Sequence, residues 1–496
     1  MKNKNQASSR DIIIADTLEY SSSQYGSQCI NIITSVLMAN YLGPYYLGIW
    51  SMLKIILNYC SYSMLGVNKA AVYKIPFFLG KGDAKKAEET KDLAFSFILL
   101  ASLLTSIGLI TFGLVFIRTL PIEWVAGFFA ISVFMIINRI YLFYVLLLRA
   151  NGNFSVLSKG VLFDAVMNLV LVVTIVKNFS LYGVFIVVCI LAVLNTFFLY
   201  FLSRYTLRFR FQLKGILELI KYGVPLLLFG VLNIILKTVD RIMIAKMMGL
   251  THVGYYSIGI MGKNYAAGIS SHLSVVSIPK ILGEYGKREN IDDIKKFVIV
   301  PTKTIAYLMA PCLALIYFAA PVLVKLLLPQ YVPGILSLQI LLISVFFSSC
   351  VSQTMQFLIA INKRDKLVIF SVFAIILNVL LNYVFIKKGY GIHGVAWGTS
   401  LTSFFVFLII QYYAMAQFAE HRKIISFFII VLIPFAYILC FVLLAESVIR
   451  MENMYLETML KIIILSIITL PLFIYIDKDT GILKSIFKVI RSKIKL

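Results

Sequence analysis

Seven positive charges stand inside stretches otherwise apolar enough to cross a bilayer: Lys54, Arg139, Lys237, Arg241, Lys263 and, less deeply, Lys303 and Lys461. A Lys or Arg at the centre of a bilayer costs at least roughly 2.5–3.5 kcal/mol, so a set of them predicts side chains turned onto a hydrated, inward-facing cavity rather than onto lipid. Such a cavity favours an anion. The membrane setting follows from composition, because 496 residues that are 60% hydrophobic and only 14% charged, with a mean hydropathy of +0.93, exceed what a water-soluble globule of this length tolerates.

Runs of about 20 apolar residues predict fourteen spans, near 21–42, 46–66, 92–117, 123–148, 156–177, 181–203, 222–246, 252–278, 297–320, 335–361, 367–386, 391–415, 424–446 and 456–476. Backbone groups in lipid must be satisfied within the segment, and runs this long and continuous exclude the short alternating strands of an outer-membrane barrel. The expectation is an all-α polytopic membrane protein. The first ten residues are polar and lack the apolar core and cleavage site of a signal peptide, so the first span is expected to remain as an anchor.

Orientation follows from the distribution of Lys and Arg over alternate connections. With the N-terminus inside, the outer connections keep only Arg118, Lys177, Lys246, Lys325, Lys387, Lys388 and Arg450 of the 46 Lys and Arg, so both termini are expected to be cytoplasmic. The +24 formal charge is mainly this bias, and no nucleic-acid partner is needed to explain it. The tail Gly481 to Leu496 places Ile482, Ile486, Val489 and Ile490 on one helical face and Lys484, Lys488, Arg491 and Lys495 on the others, the pattern of a helix lying on anionic membrane lipids.

The chain also resembles itself. A shift of 206 superposes Ala39, Gly43, Gly48, Ser51, Asn58 and Tyr59 on Ala245, Gly249, Gly254, Ser257, Asn264 and Tyr265, and shifts of 210 and 211 match Asn168 with Asn378 and Gly183 with Gly394. Six spans separate the matched elements, an even number, so the two halves are parallel repeats rather than inverted ones, an arrangement that places a substrate site between them near the midplane. The expected division is a cytoplasmic segment 1–20, six-helix bundles 21–215 and 216–420, spans 13 and 14 over 421–477, and the basic tail 478–496.

Span 1 carries Gln24, Gln28, Asn31 and Ser35 at helical spacing, and span 7 carries Asn233, Lys237, Asp240 and Arg241 on the equivalent face. Lys54 and Asn58 lie one turn apart on span 2, and Lys263 and Asn264 sit on span 8. Asp240 is three residues from Lys237, so Lys237, Asp240 and Arg241 either bind substrate or neutralise one another. Lys303 and Lys461 are expected to snorkel to the interface. Asp164, the other deep acid, either couples a proton or cation or pairs with a cation such as Arg139. The six cysteines fall singly and read as packing thiols, with no metal-ligand spacing among Cys or His. The nearest approach to a phosphate loop, Ile281 to Arg288, has Ile where the first Gly is required and Arg where Ser or Thr should ligate magnesium. The outer connections are too short to house catalysis, so neither an enzyme nor a cofactor is expected.

Ala39 to Met52 (ANYLGPYYLGIWSM), Ser63 to Ile75 (SMLGVNKAAVYKI), GKGDAKKAEE and Val239 to Gly259 (VDRIMIAKMMGLTHVGYYSIG) resemble the corresponding regions of bacterial polysaccharide and O-antigen flippases. That group belongs to the superfamily of multidrug and toxin extruders and peptidoglycan-precursor flippases, and the likeness runs over roughly residues 20–415. It implies export of an undecaprenyl-diphosphate-linked oligosaccharide across the bacterial inner membrane by alternating access of two bundles, with a polysaccharide polymerase and chain-length regulator as partners. By position, Lys54, Arg139, Lys237, Arg241 and Lys263 would contact diphosphate or acidic sugars, and Asn31, Asn58 and Asn264 would hydrogen-bond sugar hydroxyls. A peptidoglycan lipid-precursor flippase, a multidrug exporter and a non-transporting scaffold of a glycan assembly complex are the competing readings.

Overall fold

A polypeptide whose side chains face lipid has nowhere to place backbone N–H and C=O groups except in its own helical bonds. In the computed structural model, which describes residues 9–203, 205–288 and 295–480, the regular structure is accordingly helical throughout, with no strand among the described residues. The tail from residue 481 and its amphipathic reading lie outside the described residues.

Helices occupy the position of every expected span. In chain order they are α1 Ser9–Cys60, α2 Val67–Gly80, α3 Ala84–Val115, α4 Ile122–Ala150, α5 Phe154–Leu171, α6 Lys177–Ser203, α7 Leu213–Met247, α8 Leu250–Arg288, α9 Lys296–Leu327, α10 Ile335–Ala360, α11 Arg364–Lys387, α12 Gly391–Met415, α13 His421–Val448 and α14 Met454–Thr480. Among the described residues, nine helical stretches are long and apolar enough to cross a membrane, or ten with the bent α7 included. The nine exclude α1 and α8, whose polar residues lower their hydropathy. One of the nine, Phe154–Ser203, is 50 residues long, and at 1.5 Å per residue it would far overshoot a hydrocarbon core of about 30 Å if straight. It turns back at Ser180 (φ 48, ψ −124). Its two legs pack together, with Phe163 and Phe198 stacked at 4.1 Å between ring centroids.

Span 2 differs from its expected limits. The helix of α1 breaks at Gly43 (φ 69), ahead of Pro44. It then runs to Cys60, passes through a short 3-10 turn at Ser61–Met64, and resumes as α2 up to Gly80. The expectation ended this span at residue 66 because Lys69, Lys74 and Lys81 resemble a basic connection, yet Lys69 and Lys74 lie on a helix whose other face is buried at Val67, Ala70, Ala71 and Ile75.

The chain forms two compact units, Met1–Thr238 and Val239–Leu496. In the first, α2, α3, α4 and the start of α7 share a core of Val67, Ala70, Ala71, Leu93, Ala94, Phe143, Leu147, Ile216 and Leu219. The alanines permit the close helix approach that membrane bundles rely on. Gly66 and Gly223 meet backbone to backbone, and a Cβ on Gly66 would lie 2.3 Å from the Gly223 carbonyl oxygen. In the second unit α10 is the most buried span, packed against α8, α9 and α12. Cys350 is buried there, whereas Cys29 and Cys440 are exposed, so packing accounts for the cysteines unevenly.

Candidate functional site

Six of the expected site residues (Asn31, Lys54, Asn58, Arg139, Asp164 and Lys237) belong to the first unit, and Asp240, Arg241, Lys263 and Asn264 belong to the second. On the first leg of α1, Gln24, Gln28, Asn31 and Ser35 are half-buried, while the adjacent Ser23, Ser27 and Thr34 are buried. Ser27 and Thr34 donate their hydroxyls to backbone carbonyls of their own helix, which satisfies them locally.

Lys54 and Asn58 are exposed, one turn apart on the second leg of α1. The Lys54 ammonium stands 5.6 Å from the Trp50 ring centroid, a cation–π contact along one helix face. The next residue, Tyr59, is hydrogen-bonded through its hydroxyl to Thr238 Oγ1 at 2.9 Å, and Tyr62 donates to the Gly230 carbonyl at 2.7 Å. These two bonds fasten the Asn58 turn of α1 alongside the Lys237 turn of α7. Arg139 lies mid-way along α4, buried, facing a cavity bounded by α2, α3 and α4.

Both acids accept hydrogen bonds from uncharged groups. Asp164 does not pair with Arg139; its Oδ1 accepts from Asn195 Nδ2 at 2.5 Å across the α5–α6 hairpin. Asp240 is 3% exposed and accepts from three uncharged donors on three helices: Tyr256 Oη at 3.0 Å, Asn382 Nδ2 at 2.8 Å and Thr399 Oγ1 at 2.7 Å. The sequence offered Lys237, one turn away, as one of two alternatives for Asp240; the hydrogen bonds come from α8, α11 and α12. Asn382 also donates to Asn378 Oδ1 at 3.1 Å, and its own Oδ1 is buried with no hydrogen-bond partner among the described residues.

Lys263 is half-buried and Asn264 exposed on α8, while Arg241 is half-buried beside Asp240 on α7. Lys461, near the start of α14, has two acidic partners. It is 3% exposed and held by Glu446 at 3.0 Å and Glu457 at 2.6 Å, so it links α13 to α14. Asn195, Tyr256, Asn382 and Thr399 were not among the expected site residues; their only sequence signal is a polar side chain in an apolar run, which many packing residues share.

Over residues 78–335 the chain matches the family described as polysaccharide biosynthesis protein, which is more than half of its length. The chain belongs to that family. An uncharacterized membrane protein of Methanocaldococcus jannaschii is 28% identical over 207 residues, 41% of this chain and 47% of its own length. The chain thus spans about half the length of that curated relative. Among solved structures, the lipid II flippase MurJ in an inward closed conformation aligns over 93% of this chain and 99% of its own, with a TM-score of 0.73 at 15% identity. An inward-facing multidrug resistance MATE family transporter of the MOP superfamily aligns over 79% and 96%, with a TM-score of 0.65 at 15% identity. A MOP superfamily transporter from Pyrococcus furiosus gives 82%, 96% and 0.57 at 16% identity. At these identities the likeness shows the fold alone: a multi-pass, all-helical membrane protein of the polysaccharide biosynthesis family, built like MurJ and the MATE transporters.

Proposed function

We propose that this family member is a flippase that moves an undecaprenyl-diphosphate-linked oligosaccharide, a repeat unit of O-antigen, capsule or exopolysaccharide, from the inner to the outer leaflet of a bacterial cytoplasmic membrane by alternating access. One observation carries the reading. Arg139 is buried mid-way along α4 and faces a cavity with no Asp or Glu in its wall. A cation set into an apolar helix beside such a cavity is suited to a ligand that brings its own negative charge, and a lipid diphosphate does so. The expectation of fourteen spans with both termini inside belongs to this reading.

Lys54, Arg139, Lys237, Arg241 and Lys263 take the diphosphate or acidic sugars, and Asn31, Asn58 and Asn264 bond sugar hydroxyls. The exposure of Lys54, Asn58 and Asn264 and the cavity that Arg139 faces support these roles, since each leaves a polar group within reach of a ligand. Of the two acids, Asp240 is the stronger candidate for coupling a cation or proton, because the unsatisfied Asn382 Oδ1 beside it offers a further acceptor. No step here makes or breaks a covalent bond, so the chain acts as a transporter rather than an enzyme.

The test is reconstitution in proteoliposomes with a fluorescent undecaprenyl-diphosphate oligosaccharide, read by its accessibility to a membrane-impermeant quencher. Wild-type protein should move the substrate, and Lys54→Gln, Lys237→Gln and Lys263→Gln should each slow it while inserting normally. Lipid II moved faster than the oligosaccharide would shift the reading to a peptidoglycan-precursor flippase. Movement of neither, with all three variants neutral, would leave a scaffold.

A further inference from the structure

The cavity that Arg139 faces holds more cation than the substrate set above includes. It occupies about 250 Å³ within the first unit, and its wall carries Lys69 and Asn68 from α2 and Arg139 and Arg149 from α4. The remaining lining is apolar, and no Asp or Glu contributes to it. We propose that this cavity is a binding site for a phosphate-class oxyanion, with Arg139 as the deep ligand, Lys69 and Asn68 as lateral donors, and Arg149 as the charge at its mouth.

Arg139 carries most of the weight. Its residue is 8% exposed, and among the described residues it has neither a carboxylate in ion-pair range nor a hydrogen bond. A guanidinium with no counter-charge, facing a cavity walled mainly by apolar side chains, gains from an anion that enters it. Its planar fork of donors matches paired phosphate oxygens, which a spherical halide would leave partly unmet. The cavity is also several times the ~30 Å³ that one water occupies in the liquid, so a polyatomic anion fits.

The other groups are placed to share the load. Asn68 Oδ1 accepts the Lys69 backbone N–H at 2.8 Å, which commits its oxygen and leaves its amide N–H2 as a donor. Lys69 is half-buried on the same turn. Arg149 lies ten residues beyond Arg139, about 15 Å along the helix axis, is exposed, and spends one donor on the Tyr20 hydroxyl at 3.4 Å. The positive potential therefore runs from the exposed end of α4 to its buried middle, a gradient that draws an anion inward.

The identity of the anion rests on the flippase reading, under which it is the diphosphate of the lipid-linked substrate. The site itself does not need that reading. Titrating inorganic diphosphate into the purified full-length chain in phosphatidylcholine nanodiscs tests the site. Binding should weaken roughly ten- to a hundredfold in Arg139→Gln and in Lys69→Gln, the effect of removing a charged hydrogen-bond donor. Arg139→Lys, which keeps charge and loses the fork, should fall between, and Arg118→Gln, which removes an equal charge elsewhere, should match the wild type. Each variant is first checked for a monodisperse elution profile and an unchanged helical signal. Repeating the titration in phosphatidylglycerol nanodiscs separates sources: competition means that a lipid headgroup also enters, and an unchanged affinity means that it does not, the site standing in both cases. Wild-type protein that binds no diphosphate, or binding indifferent to both Arg139→Gln and Lys69→Gln, overturns the site. A chain that binds diphosphate through Arg139 yet moves no lipid-linked oligosaccharide keeps the site and loses the transport reading. Transport at wild-type rate and affinity in Arg139→Gln keeps the transport reading and overturns the identification of this site's anion as the transported diphosphate.

Discussion

Asp240 shows how far one residue's role can lie from its sequence neighbourhood. Its donors Asn382 and Thr399 stand 142 and 159 positions away, so the i, i+3 rule that suggested Lys237 concerned a helix surface, whereas the carboxylate turns into the unit's interior. Replacing Asp240 with Leu would remove a buried acceptor from three donors; Asn382 and Thr399 keep their bonds to Asn378 Oδ1 and the Val395 carbonyl, while Tyr256 keeps only a 3.5 Å contact with Thr399, so the loss should be about the 1–3 kcal/mol of one unsatisfied buried group. Asp240→Asn retains one acceptor oxygen and should cost markedly less. Thermal unfolding in detergent checks this ordering, and equal losses in the two variants would mean that shape, not hydrogen bonding, sets the cost. What the sequence shows at this scale is the anomaly, a charge in an apolar run. It does not show the partner, because the partner's choice is made by helix packing.

Among the elements, span 2 was the most instructive departure. The repeat shift of 206 lays α8, Leu250–Arg288, on residues 44–82, which is the extent that the second leg of α1 and α2 cover together. The internal repeat therefore contained the span's true length, while local charge at Lys69 and Lys74 concealed it. The break inside the span has no comparable sequence signal beyond Gly66, whose φ of +78 an L side chain adopts only at a cost of roughly 1–2 kcal/mol. Two glycines separate that conformational cost from the cost of contact. Gly82 has φ +75 and nothing within 4 Å of a Cβ, so Gly82→Ala should lose about the conformational term alone. Gly66→Ala adds a collision with the Gly223 backbone and should lose considerably more, seen as a lower unfolding temperature or a reduced folded yield. Equal stability of the two variants would show that α2 and α7 can separate at this point at little cost.

For the whole molecule, the helical fold and its membrane setting were legible because long apolar runs leave the backbone no other structure. The direction of insertion rests on the charge bias of the connections. Single cysteines at Arg118 and Arg450, in a background with the native cysteines replaced, should react with an impermeant maleimide added outside, and one at Lys85 should not; the opposite labelling would invert the topology. With that orientation, a diphosphate leaving the cell descends an inside-negative potential and gains roughly 2.3 kcal/mol per net charge per 100 mV, about a fiftyfold bias at equilibrium. The gain applies only to net charge that crosses the field. Cations such as Lys54 and Arg139, should they travel with the load, cancel part of it. Proteoliposomes with an imposed inside-negative potential should therefore transport faster than unpolarised ones, without any proton or sodium gradient. Neutralising Arg139 should weaken binding yet steepen the dependence of rate on voltage, because less of the substrate's charge is then compensated. A strict requirement for a proton or sodium gradient would instead assign the driving force to an ion site such as Asp240, and a voltage dependence unchanged by Arg139→Gln would mean that this cation stays still while the substrate moves.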